Sequence, residues 1–219
     1  VNAQVLKLLL AGEYICPHRY GPEFLLLEDV AEREEVDAWL LPLGMRTARL
    51  SEEGAFFMAY ERIGLKQVTQ VKNELLKFRD EYGPAVLTLD LIRQSDTSRV
   101  QLTPGEIIML YQLEEAVAQS STLESQLKGL LGVITNAAMR NTNHENLRRM
   151  MEHLAKDGYV VLANKDTGAY EVTGKIEQLY AVLQFLDENK VIPDTEVDDR
   201  DEVDDDLVDQ ANADSGESS

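Results

Sequence analysis

A helical stretch runs straight into a short β-hairpin twice in this chain. The first instance is the helical pattern Glu28–Leu43, followed by Met45–Leu50, a turn at Ser51-Glu52-Glu53-Gly54, and Ala55–Tyr60. The second is His144–Gly158, then Tyr159–Ala163, a turn over Asn164–Gly168, and Ala169–Val172. A helix followed by a two-stranded wing is the closing part of a winged helix, so the fold class expected is mainly α with small β-wings, in tandem winged-helix domains. The boundaries expected are 1–64 for the first domain, 65–192 for a helical connector with the second, and 193–219 for a terminal tail.

Charge narrows the partners. The 219 residues carry a formal net charge of −19. Asp194–Ser219 holds 12 acidic residues, one basic residue (Arg200) and no aromatic, which leaves −8 for residues 1–193. The tail cannot bury enough apolar surface to offset its chain entropy, so we expect it to be disordered. A domain that grips a duplex alone usually has a basic balance, because neutralised phosphates supply most of its non-specific affinity. Any DNA contact by this body is therefore local or assisted by a basic partner.

One cysteine, Cys16, excludes an internal disulfide framework and a cysteine-rich zinc site. The longest apolar run, Leu6–Gly12, is far short of the about 20 residues that span a bilayer. The start carries no basic segment or cleavage site. A cytoplasmic, nucleoid-associated location and no membrane partner are the expectation.

Local patterns set further expectations. Gly12 suits the position just past a short helix, since it tolerates positive φ. Val30, Val36, Trp39, Leu40 and Leu43 recur at near-helical spacing, with Trp39 as a core anchor. Consecutive Phe56, Phe57 and Met58 make both faces of their strand apolar, which suggests a partner or a dimer contact. Val68, Val71, Leu75 and Phe78 form a stripe in a connecting helical region that Gly83-Pro84 interrupts; Val86–Leu89 fits a strand or a helix. Val100–Leu102 reads as extended. Thr103-Pro104-Gly105-Glu106 has the composition of a capping box opening a helix, and Ser121-Thr122-Leu123-Glu124 repeats it. Asn141–Asn143 offers caps for the helix at 144–157, whose Leu147, Met150, Met151 and Leu154 form a buried stripe. Thr173 caps a last helix with Ile176, Leu179, Tyr180, Leu183 and Leu186 inward.

Enzyme chemistry finds little support. The chain has no phosphate-cradling glycine motif and no G-x-S-x-G elbow. His144 and His153 are nine apart, unlike the i, i+4 pair that sets two ligands on one helix face. Cys16 lies near His18 and Arg19, yet no third group completes a nucleophilic set, and a quiet, partly buried thiol is expected. The acidic run Asp198–Asp209 lacks EF-hand spacing. No catalytic residue, metal or cofactor is therefore assigned.

The basic residues sit in the second unit. Arg140, Arg148, Arg149 and Lys156 lie along or just before its third helix, and Lys165 occupies its wing turn. On a winged helix these are the helix and wing that face a duplex, and they are the DNA-binding candidates. Glu145, Glu152, Asp157 and Asp166 are interspersed, so an ordinary mixed-charge surface fits equally. Glu52 and Glu53 at the first wing tip repel phosphate, so that unit is expected to bind protein.

The order of these elements resembles a known family. The stretch from Leu8 to Tyr60, with Gly12, Phe24-Leu25, Trp39-Leu40 and Glu53-Gly54-Ala55-Phe56-Phe57, looks like the N-terminal winged helix of the MukE/MksE family, the accessory subunits of bacterial SMC condensins, and is nearer to MksE. Leu102–Ile107, Met150–Leu162 and Thr167–Thr173 resemble the family's second unit, and the likeness covers most of residues 4–192. It implies a homodimer that binds a kleisin subunit bridging SMC ATPase heads and helps hold DNA, in chromosome organisation and segregation or in plasmid defence. The alternative is a winged-helix transcription regulator, which calls for a clearly basic recognition helix and for binding DNA without partners. For a hydrolase or nuclease no residue set can be named.

Overall fold

Helix ends explain where the first elements begin and stop. Asn2 accepts the amides of Gln4 and Val5 with its side-chain oxygen, opening α1 (Ala3–Leu10). Gly12, at φ 76°, closes it: Gly12 N–H reaches Leu9 O and Glu13 N–H reaches Leu8 O, the paired bonds of a Schellman end. In the computed structural model the chain is described over residues 2–67, 69, 83–96, 101–135 and 142–188. The stripe Val68, Val71, Leu75 and Phe78, the caps at Asn141, and the tail over 193–219 lie outside the described residues.

α2 (Pro17–Glu28) follows, kinked at Tyr20, and its second half carries Phe24 through Leu27. Asp29 caps α3 (Val30–Leu40) through the amides of Ala31 and Glu32. After a 3-10 turn at Leu41–Leu43 come β1 (Met45–Ala48) and β2 (Phe57–Tyr60), antiparallel with Met45 opposite Tyr60. Ile15 and Phe56 exchange backbone hydrogen bonds of 2.8 and 2.9 Å. Because successive strand residues point their amides to opposite sides, that bridge lies on the side of β2 away from β1.

Val5, Leu9, Ile15, Leu27, Val36, Leu40 and Phe56 form the core here. Trp39 does not join it and is 60% exposed. Val36 and Leu40, at i and i+4, hold the buried stripe, and Asp37 turns toward β1 to accept the Thr47 amide at 2.6 Å. Trp39 falls about 100° round the helix from Leu40 and so leaves the stripe. Leu43, in the 3-10 turn, is exposed too. The apolar strand is better covered than expected: Phe56 is buried, Phe57 stacks on Tyr14 at 5.2 Å, and Met58 packs against the core.

The later elements are α4 (Gly83–Ser95), β3 (Ile107–Met109), α5 (Leu110–Gln119), α6 (Ser121–Thr135), α7 (Asn143–Lys156), β4 (Val160–Asn164), β5 (Ala169–Val172) and α8 (Lys175–Glu188). Val86–Leu89 is thus helical. β5 lies between β3 and β4 in an antiparallel three-stranded sheet. α5 and α6 pack on α7, and α4 packs on α6. Leu147, Met150, Met151 and Leu154 are buried, and full burial of such side chains contributes about 1.5–3 kcal/mol each. Thr142 caps α7 by accepting the Glu145 amide, and Gly158, at φ 87°, ends it as Gly12 ends α1.

Thr103–Glu106 does not open a helix. The Glu106 carboxylate does reach the Thr103 amide at 3.1 Å, as a capping box would. Gly105, at φ 83°, then turns the chain; its amide donates to Val172 O, and Glu106 O accepts the Val172 amide. Sheet pairing with β5 claims these backbone groups, so the segment leads into β3 and the helix starts at Leu110. The extended stretch is therefore Ile107–Met109 rather than Val100–Leu102, of which Val100 lies outside the described residues. The cap of α6 is Ser120, one residue earlier than expected, accepting the Leu123 amide at 3.3 Å.

Contacts divide the chain into two units, Val1–Val182 and Leu183–Ser219. The first holds every element through most of α8. The second is described as far as Glu188 and contains the end of α8, with Leu186 buried and Phe185 exposed.

Candidate nucleic-acid interface

One face of α7, the β4–β5 turn and the start of α5 surround a groove of about 370 Å³. Arg148 and Lys165 both line it, with His144, Tyr111, Tyr170 and Leu162. Arg148 arrives from α7, whose buried Leu147 and Met151 turn it outward. Lys165 arrives from the β4–β5 turn, where Asn164 accepts the amides of Asp166 and Thr167 and so fixes the loop.

Acidic residues are built into the same groove. Arg148 Nε donates to Glu152 at 2.9 Å across one helical turn, and His144 Nδ1 lies 3.0 Å from Glu114. Glu152 and Asp166 belong to the lining. Tyr170 forms the floor, and burial raises its phenol pKa, with Glu152 adding to the effect and Arg148 opposing it. The groove is thus of mixed charge with an apolar base, suited to a few directed contacts rather than to a continuous polyanion.

The remaining candidates are dispersed. Lys156 is exposed at the last residue of α7, two turns beyond Arg148 on the same side. Arg149 is half-buried and engaged in an interaction of its own. Arg140 lies outside the described residues. Tyr111 and Tyr170 were missed in the sequence; Tyr111 opens α5 directly after β3, so its place is visible only once that strand is known.

A second cluster joins early and late segments. His18 Nδ1 lies 2.8 Å from Glu171 on β5, and the Gly174 amide donates to the Cys16 sulfur at 3.3 Å. Cys16 is fully buried rather than partly so. Lys175 sits between the rings of Tyr14 and Tyr159 and donates to Asp157 O at 2.7 Å. Burial pushes its ammonium below the usual value, as does Arg19, while Asp157 and Glu13 oppose the shift. His18 is thus engaged by Glu171, Lys175 by Asp157 O, and the Cys16 sulfur by the Gly174 amide.

Among the described residues no three of His, Cys, Asp and Glu come together as a metal-binding group, and no helix is long and apolar enough to cross a membrane. The sequence matches no protein-family model and no curated relative.

Proposed function

We propose that the chain is a non-catalytic accessory subunit of a bacterial SMC–kleisin complex, of the MukE/MksE kind, built from two winged helices. It would bind the kleisin as a dimer and help hold DNA against the ATPase heads. The observation that carries the proposal is the shared strand order in the two halves. In the second, β5 lies between β3 and the wing strand β4; in the first, β2 lies between Ile15 and the wing strand β1. In both, a helix leads through a short turn into the hairpin, α3 in one and α7 in the other. That order is the one expected of a winged helix and so supports the reading, and the family resemblance supplies the biological setting.

Docking of protein is supported by apolar side chains that the first half leaves in solvent. Leu25, Val30, Trp39, Leu41 and Leu43 are each at least 56% exposed. Side chains of this size in solvent mark an interaction face when they gather. DNA contact falls to Arg148 and Lys165 in the groove, with Lys156 exposed at the end of α7.

A transcription regulator is the competing function, and its distinguishing property is DNA affinity without partners. Heparin chromatography and titration of labelled duplex at low salt separate the two. An accessory subunit this acidic passes largely through heparin and binds duplex weakly. Retention to high salt with sequence-specific binding would overturn the proposal.

A further inference from the structure

α3 turns one side to the protein and the other to solvent. On the inner side Val36 and Leu40 are buried, Arg33 reaches back to α2 by donating to Leu27 O at 2.9 Å, and Asp37 accepts the β1 amide of Thr47 at 2.6 Å. On the outer side Ala31, Glu34, Glu35, Ala38 and Trp39 are all exposed. Their spacing, i, i+3, i+4, i+7 and i+8, makes them one continuous stripe about 12 Å long. We propose that this stripe docks a basic amphipathic helix of a partner protein.

The stripe carries charge of one sign. It holds two carboxylates and no cation, and Arg33, the one basic residue of α3, stands on the inner side, 5.8 Å from the centre of the Phe56 ring. Arg46 and Arg49 line a groove with Arg33 and Asp37 on that inner side, where Glu61 at 4.0 Å and Glu28 at 2.6 Å match them. Among the described residues Glu34 has no ion-pair partner, and Glu35 is exposed although it makes an interaction of its own. A surface that covers these carboxylates has to supply donors, because a carboxylate taken from water without a partner is strongly destabilised. That disfavours an apolar or acidic partner. It disfavours DNA as well, whose phosphates the two glutamates repel.

The shape of the stripe selects a helix. α3 satisfies its own backbone groups, so it offers no edge to which a strand could be added. Successive residues are about 100° apart, which sets Ala31 and Ala38 down the middle, Glu34 on one border and Glu35 and then Trp39 on the other. The two alanines leave a channel into which the larger apolar side chains of a second helix fit as ridges into a groove. Trp39, 60% exposed, bounds the channel and is followed by exposed Leu41 and Leu43. A tryptophan in this position is a strong anchor for a partner, and its ring face attracts a cation. The occupant therefore carries an apolar seam for Ala31, Ala38 and Trp39, bordered by Lys or Arg for Glu34 and Glu35.

The test uses the full chain and a synthetic helical peptide about five turns long, with a leucine seam bordered by lysine and arginine and no tryptophan. Trp39, the only tryptophan of the chain, reports contact directly, and fluorescein on the peptide reports total binding by polarisation. A saturable blue shift of Trp39 emission is expected, following the same curve as polarisation. Affinity is expected to fall about tenfold when Glu34→Lys and Glu35→Lys are combined, as for close charge pairs reversed at an interface. The matched pair Glu52→Lys and Glu53→Lys, exposed at the first loop tip, is expected to leave it unchanged. Melting curves check that each variant folds, and Glu34→Gln with Glu35→Gln carries the same comparison if charge reversal does not. No binding, binding without a Trp39 shift, or an equal loss in both lysine pairs would overturn the proposal, the last by marking an attraction to net charge alone. The proposal stands on exposure and charge, and the probe is not a kleisin, so its failure leaves the SMC–kleisin proposal standing.

Discussion

The Gly174 amide donates to the Cys16 sulfur at 3.3 Å, a contact that joins residues 158 apart in the chain. It lies in a seam in which the segment from Glu13 to Tyr20 meets the second hairpin and the start of α8. A β-carbon on Gly174 would stand 2.9 Å from those of both Cys16 and Ala55. The seam therefore requires glycine for space, not for backbone conformation, and His18–Glu171 at 2.8 Å closes it nearby.

Gly174→Ala is expected to destabilise the protein by about 1–3 kcal/mol, the usual cost of forcing atoms into a packed site. Urea unfolding measures it directly. A midpoint equal to wild type would mean that the seam is looser than its geometry implies.

Trp39 is the only tryptophan, and its 60% exposure makes it a reporter. Its emission in the isolated folded chain is expected near that of solvated indole, and Trp39→Ala is expected to change stability by no more than about 0.5 kcal/mol. Binding of a partner over α3 shifts the emission to the blue. A blue-shifted spectrum in the isolated monomer would contradict the exposure seen here.

Lys175 gives stability a definite pH dependence. Its folded-state pKa is lowered from 10.5, chiefly by burial, so between that lowered value and 10.5 the unfolded chain binds more protons. The charging penalty is fully present below the window and is relieved as pH rises through it. Wild type is therefore expected to gain stability relative to Lys175→Met as pH climbs toward 10.5. The raised phenol pKa values of Tyr20, Tyr170 and Tyr180 act oppositely above 10.0 and cancel in the comparison. Parallel stability curves for the two proteins would rule the effect out.

Arg148 and Lys165 share one groove, so replacing either by alanine is expected to weaken duplex binding by the assembled complex and to lower the salt dependence by about one ion each. Arg148→Ala also frees Glu152 in the groove and is expected to be the more damaging. Salt titrations of labelled duplex compare the two.

What the sequence made legible was local. The hairpins showed through their turn residues, around Gly54 and Asn164–Gly168, between short apolar runs, and the stripe of α7 through its 3.6-residue spacing. Gly12 announced the end of α1 because positive φ favours glycine. Trp39 misled because periodicity alone does not say where the buried stripe ends, and Asp37, by bonding Thr47, fixed the rotation of α3. β3 was hidden because Thr103–Glu106 has capping-box composition and only its pairing with β5 decides otherwise. The seam at Gly174 depends on contacts between distant segments, which local spacing does not encode.

The central claim is that this chain works by docking within an SMC–kleisin assembly. Affinity purification of the tagged protein from its native host at moderate salt, followed by mass spectrometry, tests it most directly. The account predicts near-stoichiometric recovery of a kleisin and a long coiled-coil ATPase. Recovery of neither, with specific DNA fragments in their place, would contradict it and favour a regulator.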